Sequence, residues 1–241
     1  MNIGTMVSVL LEEVHTAVST STQNNALTCI IEALRYNRTH ETYFNKKKFY
    51  LTLVEDQPDY PLAIDYLGVI GKVKYHSDST LTDERELLDG GIDLVERFQY
   101  IDEYDNSWAT GEVSAYAVDD EGKRIIFGPA PASDGGVVSF RYIADLGTPT
   151  YTISGGTYTF LKPFSSDALT VTDTYSNKWL TEGQDATRCR AIYYWWSRAY
   201  GGTQEADIKA QKSLIQWQDA INALRAESSK RISNFQVRRW I

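Results

Sequence analysis

The sequence predicts an α+β protein. A helical bundle is built from both chain ends, an antiparallel β-sandwich or barrel-like domain is inserted between them, and an extended arm closes the C-terminus. Two observations carry this reading. Apolar residues recur at three- and four-residue spacing near both ends, as on one face of a helix. The middle instead alternates every second residue and is punctuated by Gly, Pro, Asn and Asp. With 241 residues, 42% apolar and 12% aromatic, the chain has length for one large domain or two small ones. That composition excludes disorder over most of its length. The reading assigns residues 1–45 and 176–229 to the helical domain, 46–175 to the β domain and 230–241 to the arm.

The first helix is expected over residues 5–20, where Val7, Leu10, Leu11, Val14 and Val18 form a stripe. Thr20 to Asn25 reads as a polar break, and a second helix follows from Ala26 to Arg38 on Leu27, Ile30, Ile31 and Leu34. The period changes at Lys46, where Phe49, Leu51 and Leu53 alternate with Tyr50, Thr52 and Val54. Gln57-Pro58-Asp59-Tyr60-Pro61 is a turn, Leu67 to Tyr75 a strand, and Leu81 to Tyr104 mostly helical around Gly90-Gly91. Beyond Gly111 short strands dominate: 112–118 and 124–127 around the turn Asp119-Asp120-Glu121-Gly122, then 137–143, 151–153 and 157–161. Helix returns at Thr181, whose spacing to Gln184 suits a capping box, and stops at Gly201-Gly202. Thr203 caps a last helix to Ser229, with Ile208, Leu214, Trp217, Ile221 and Leu224 on one face.

The 24 basic residues against 32 acidic ones, a net charge of −8, exclude a protein whose whole surface grips nucleic acid. No run approaches the roughly 18 apolar residues of a membrane span. Met1 to Leu11 lacks the basic start of a signal peptide, so the chain is expected on the soluble side. Cys29 and Cys189 are the only cysteines, which gives neither a disulfide framework nor a zinc set, and two buried reduced thiols are expected.

Catalytic patterns are not found. His15, His40 and His76 fall in no ligand spacing, and there is neither a GxSxG elbow nor a phosphate-cradling glycine loop. No metal and no cofactor are expected. Cys189 lies beside Arg188 and Arg190, which could lower a thiol pKa, against a plain packing role. Residues 78–121 hold 14 acids and only Arg85 and Arg97 as basic residues. This stretch reads as a calcium site lacking the usual loop, as a solvated face, or as a negative wall that repels DNA. A rival reading from another class is a carbohydrate-binding or glycan-hydrolysing β module on a helical scaffold. It would use Trp108, Tyr116 and Tyr142 as a sugar platform and Glu96 and Glu103 as paired acids.

Two features point to docking. After Glu227 no acid remains, while Lys230, Arg231, Arg238 and Arg239 are interleaved with Phe235, Val237, Trp240 and Ile241. That composition suits a docking peptide, since Arg and Trp most often anchor interfaces. Tyr193-Tyr194-Trp195-Trp196 places four aromatics on one helical turn, so the helix is either buried on every side or meets another subunit. The 16 tyrosines and 6 tryptophans suit interfaces as well as wet cores.

The order of elements resembles the head-to-tail adaptor proteins of tailed bacteriophages. The resemblance is carried by Ala33-Leu34-Arg35-Tyr36-Asn37-Arg38, Thr42-Tyr43-Phe44-Asn45, the strand Phe49–Leu53, Asp59-Tyr60-Pro61-Leu62 and Leu67-Gly68-Val69-Ile70. It continues through Ile126–Pro131, Ser139-Phe140-Arg141-Tyr142, Asn177-Lys178-Trp179-Leu180 and the helix Ala191–Tyr200, and so spans most of residues 26–225. The segment between Leu146 and Ser176 departs from the family pattern. The resemblance implies a non-enzymatic virion protein at the head–tail junction, assembled in the bacterial cytoplasm. It implies a dodecamer ring of copies under the portal protein, a tail nozzle or tube below, and DNA passing without specific binding. Arg231, Phe235, Val237, Arg238, Arg239, Trp240 and Ile241 match the portal-docking arm by position. Tyr193, Tyr194, Trp195 and Trp196 become the candidate face between subunits.

Overall fold

Residues 1–45, read as helix pair and turn, form one compact unit together with everything from Asp145 onward; Lys46–Ala144 forms a second unit. The computed structural model describes residues 1–99, 110–154, 157–161, 175–199 and 202–237. The fold is mixed α+β with six helices among the described residues, and none of their sheets closes into a barrel. The second boundary falls at Ala144, not at residue 175.

In the first unit, α1 (Ile3–Glu13) is capped by Asn2, whose side chain accepts from Thr5 N at 2.8 Å. Helix α2 (Thr20–Asn37) starts six residues earlier than its apolar stripe suggests, because Ser19 and Thr22 form a reciprocal capping box. Ser, Thr, Gln and Asn cost only a few tenths of a kcal/mol each in a helix, so a good cap outweighs them. Val18, expected on the first helix, is 70% exposed before that cap.

The second unit opens with β1 (Lys46–Thr52), β2 (Asp59–Pro61) and β3 (Tyr66–His76). The stretch expected to be mostly helical gives β4 (Arg85–Glu86) and β5 (Leu88–Asp89), and only then α3 (Gly91–Gln99). The two strand fragments are held by pairing to neighbours, Lys74 to Glu86 and Leu88 to Ala115, rather than by their own pattern. Next come β6 (Thr110–Gly111), β7 (Ala115–Asp119), β8 (Arg124–Gly128), β9 (Ala130–Pro131) and β10 (Val137–Ala144). One sheet has the order β1-β10-β3-β4 and is antiparallel throughout; the other has the order β2-β8-β7-β5. The pairs β5–β7 and β6–β9 are parallel, which corrects the purely antiparallel expectation.

Phe49 faces Phe140 across the first sheet with ring centroids 5.0 Å apart. The β3–β10 register shifts beside Gly71, whose φ of +72° is open to glycine without strain. The expected hairpin turn forms: Asp119 accepts from Gly122 N and pairs with Arg124 Nε, both at 2.9 Å.

The chain returns to the first unit through β11 (Thr150–Ser154) and β12 (Thr157–Leu161), which pair with each other. The return is sealed where Ile3 N donates to Tyr175 O at 2.8 Å and Ser176 Oγ to Met1 O at 3.0 Å. Helix α4 (Lys178–Thr181) is capped by Asn177, and Thr181, expected to cap the helix that follows, is its last residue. Gly183 then breaks the helix before α5 (Gln184–Ala199), since a Cβ there would lie 2.6 Å from the Trp179 ring. Helix α6 (Gln204–Val237) is capped by Thr203 as expected, with Ala206 N donating to Thr203 Oγ1 at 3.3 Å.

The extended arm is corrected over residues 230–237, which continue α6. Neither Gly nor Pro follows Gly202 to stop the helix, and Glu227 pairs with Arg231 one turn on at 2.6 Å. Ile208 is 60% exposed and falls off the buried stripe, which runs through Ala206, Ala210, Ser213, Trp217, Ile221 and Leu224.

A buried polar chain crosses the helical core. Trp217 Nε1 donates to Asn37 Oδ1 at 2.9 Å, Asn37 Nδ2 to Thr187 Oγ1 at 3.4 Å, and Thr187 Oγ1 to Trp179 O at 3.0 Å. Replacing Asn37 with Ala leaves the indole N–H buried without an acceptor. Asn37→Ala should lower the unfolding free energy by about 1–3 kcal/mol, read from urea denaturation. A loss of only a few tenths would show that the chain contributes little.

Candidate functional site

The aromatic turn of α5 is packed largely against its own unit. Trp195 is buried in the helical core, while Tyr193, Tyr194 and Trp196 are half-buried. Arg198, one turn on, pairs with Glu32 of α2, and Lys209 of α6 lies 4.3 Å from the Trp196 ring centroid. These contacts join the turn to both neighbouring helices.

Arg190 stands at the centre of this arrangement. Its guanidinium carbon lies 3.8 Å from the Tyr36 ring centroid, 4.7 Å from Tyr193, 5.0 Å from Tyr194 and 4.9 Å from Trp217. The residue is only 9% exposed. No carboxylate among the described residues pairs with it, and its buried Nε has no hydrogen-bond partner. Each cation–π contact contributes about 0.5–2 kcal/mol depending on desolvation, which offsets part of the cost of burying the charge.

His40 completes the cluster. Its ring lies 5.3 Å from Tyr36 and 5.4 Å from Trp217, and its buried Nδ1 has no hydrogen-bond partner. Burial first, then the nearby charges of Arg225 and Arg190, hold its pKa below the ordinary 6.5, against the nearby Tyr36 backbone, which raises it. The sequence reading did not single out Tyr36, His40, Arg190 and Trp217 as a group. The i, i+3, i+4 spacing of Arg190, Tyr193 and Tyr194 was the available signal.

Of the docking arm, Arg231 is anchored to the body. Its guanidinium carbon sits 3.7 Å from the Tyr43 ring centroid, beside Glu227. Burial and a hydrogen bond with Glu182 push the Tyr43 hydroxyl up to about 12. Phe235 and Val237 fall on the last turns of α6. Arg238, Arg239, Trp240 and Ile241 lie outside the described residues.

The candidate chemistries fare as follows. Cys29 and Cys189 are both free and buried. Burial pushes the Cys29 thiol up to about 12 and raises Cys189 as well, outweighing Arg188 beside it. Arg188 itself turns to Glu13 and Asp185. Cys189 therefore packs as a buried thiol, the plainer of its two readings, and is not activated by its arginine neighbours. Within the acidic stretch, Glu84, Glu86, Glu112 and Asp119 pair with Lys74, Lys72, Arg85 and Arg124. No group of three or more candidate ligands could hold a metal among the described residues. Tyr116 and Tyr142 are buried in the second unit's core, so they form no sugar platform. Trp108 and Glu103 lie outside the described residues, and Glu96 is placed only by its backbone on α3. His76 bridges Asp83 O and Ser139 Oγ at 2.8 and 3.0 Å, a structural role.

No protein-family model matches the chain, and no curated protein matches it. Among the described residues, no helix is long and apolar enough to cross a membrane.

The depressed His40 pKa has a sign. The unfolded chain binds this proton more readily than the folded one, so stability is lost as pH falls from 6.5 through the folded-state pKa. An NMR titration should place the His40 midpoint below 6.5, and His40→Gln should flatten the stability profile across that window. A midpoint at or above 6.5 would contradict the positive, desolvated surroundings described for this ring.

Proposed function

We propose that this protein is a head-to-tail adaptor of a tailed bacteriophage, a virion structural protein that docks as a ring under the portal. The observation that carries this reading is the arrangement of the chain. Its two ends share one helical unit, a β unit is inserted between them, and a long last helix leads into the basic-aromatic terminus. This is the element order that the adaptor resemblance implies. In this reading the helical unit is a bundle and the β unit is sandwich-like. Twelve copies form the ring, the portal protein binds above, and a tail nozzle or tube is received below. DNA passes through the ejection channel without specific binding, and the net charge of −8 favours that passage. The role needs no catalytic group and no cofactor, and the protein resides at the head–tail junction of the virion.

The glycan-binding alternative loses support from the burial of Tyr116 and Tyr142. The docking arm now begins inside α6, so Arg231, Phe235 and Val237 would meet the portal from a helix. Ring closure in this reading needs the portal as a template, because each contact between copies is weak until neighbours add theirs.

Mixing purified chain with portal rings should convert monomers to a ring by sedimentation, and unchanged sedimentation would overturn the adaptor reading. Deleting residues 231–241 should lower the helical far-ultraviolet circular dichroism only by the α6 turns removed, 231–237, while abolishing portal pull-down. The deletion also removes Arg231 from Tyr43, so a small stability loss accompanies it. Trp240→Ala should weaken the pull-down more than Arg238→Ala, because apolar burial outweighs an exposed charge. Undiminished capture by the folded, truncated chain would remove the docking role of this terminus.

A further inference from the structure

We infer that Arg190 and its aromatic surround form an acceptor site for an acidic side chain of a second copy of this chain. The guanidinium is nine-tenths buried, yet none of the described carboxylates meets it. Its Nε has no hydrogen-bond partner, and the Nδ1 of His40 in the same cluster has none either. Rings of Tyr36, Tyr193, Tyr194 and Trp217 hold the fork in place, so little ordering remains to be done when an anion arrives. Tyr36 is 41% exposed, which puts the cluster at the surface of its unit. Arg225, exposed on α6, adds a second cation near His40.

One planar fork between rings suits a carboxylate, which accepts two parallel N–H donors. The occupant follows from how charge is divided along the chain. Residues Lys46–Ala144 carry 19 acidic and 10 basic residues, whereas the remainder carries 13 acidic and 14 basic. The chain's negative charge thus resides in one unit, and the unmatched arginine in the other. Asp83, Asp93, Asp120 and Glu121 are exposed acids of the β unit with no basic partner among the described ion pairs. A contact between the β unit of one copy and the helical unit of the next is heterologous, and so repeats from copy to copy. This goes beyond the adaptor reading and is tested without portal.

The test uses two full-length chains, each weakened on one side of this contact. One carries D83N, D93N, D120N and E121Q and keeps Arg190; it is labelled with nitrogen-15. The other is R190K, unlabelled, and keeps its acids. Adding the second to the first should shift the Trp217 indole signal saturably below about 1 mM. About 0.5 M NaCl should weaken this apparent affinity about tenfold or more, as expected for a contact led by charge. Unlabelled chain carrying the four neutralising substitutions should produce no shift. Absence of a shift with R190K, or an equal shift with the neutralised chain, would overturn the proposal. A shift with sodium acetate alone would assign the site to free carboxylates and equally overturn the second copy as its occupant. Portal pull-down of the native chain reports on the adaptor reading separately, so either idea can fail while the other stands.

Discussion

The helical unit depends on one buried hydrogen-bonded chain running from Trp217 through Asn37 and Thr187 to the Trp179 carbonyl. It ties α6, α2, α5 and α4 together at points far apart in sequence. Apolar packing alone tolerates sliding, because Leu and Ile on neighbouring turns are close equivalents. A buried indole N–H does not, because losing its acceptor costs about 1–3 kcal/mol. A slide of α6 by one turn, about 5.4 Å, would remove Trp217 from Asn37. The chain therefore sets the register of α6 on α2, and that register brings the Trp217 ring to Arg190 and His40.

Much of the helical unit was legible because its apolar residues keep helical spacing. The stripes of α1 and α2, the Thr203 cap and the lower part of α6 all follow from local pattern. The polar chain was not legible. Asn37, Thr187 and Trp217 lie 150 and 180 residues apart in pairs, and nothing in their own neighbourhoods marks them as partners. The start of α5 shows a different failure. Thr181 and Gln184 have good capping spacing, but Asn177 caps a separate short helix α4, and Gly183 leaves room at the break for the Trp179 ring four residues back. In the β unit, β4 and β5 are two residues each and exist only through pairing, which no period can announce.

The charge pattern also changes meaning once the fold is known. The acidic stretch is partly neutralised across strands, where Glu84 and Glu86 meet Lys74 and Lys72 of β3. Exposed, solvent-screened pairs of this kind contribute little to stability. Excess charge survives at positions open to solvent, Asp83, Asp93, Asp120 and Glu121 among them. A negative surface is thus built without destabilising the core beneath it, whose Phe127 and Ile125 are fully buried.

The abundance of tyrosine and tryptophan first suggested interfaces between subunits. Around Arg190 those rings instead serve the chain's own fold, since Tyr36 of α2 and Trp217 of α6 both meet the guanidinium carried by α5. Aromatic content by itself therefore argues less for a ring than it did. What the rings leave undone argues more. A carboxylate at this position would have neutralised the arginine and closed the junction within one chain. Rings stabilise the cation through their quadrupoles, and no carboxylate among the described residues pairs with it. The junction is complete as packing and incomplete as electrostatics, and a second copy carrying excess acid is the kind of partner that completes it.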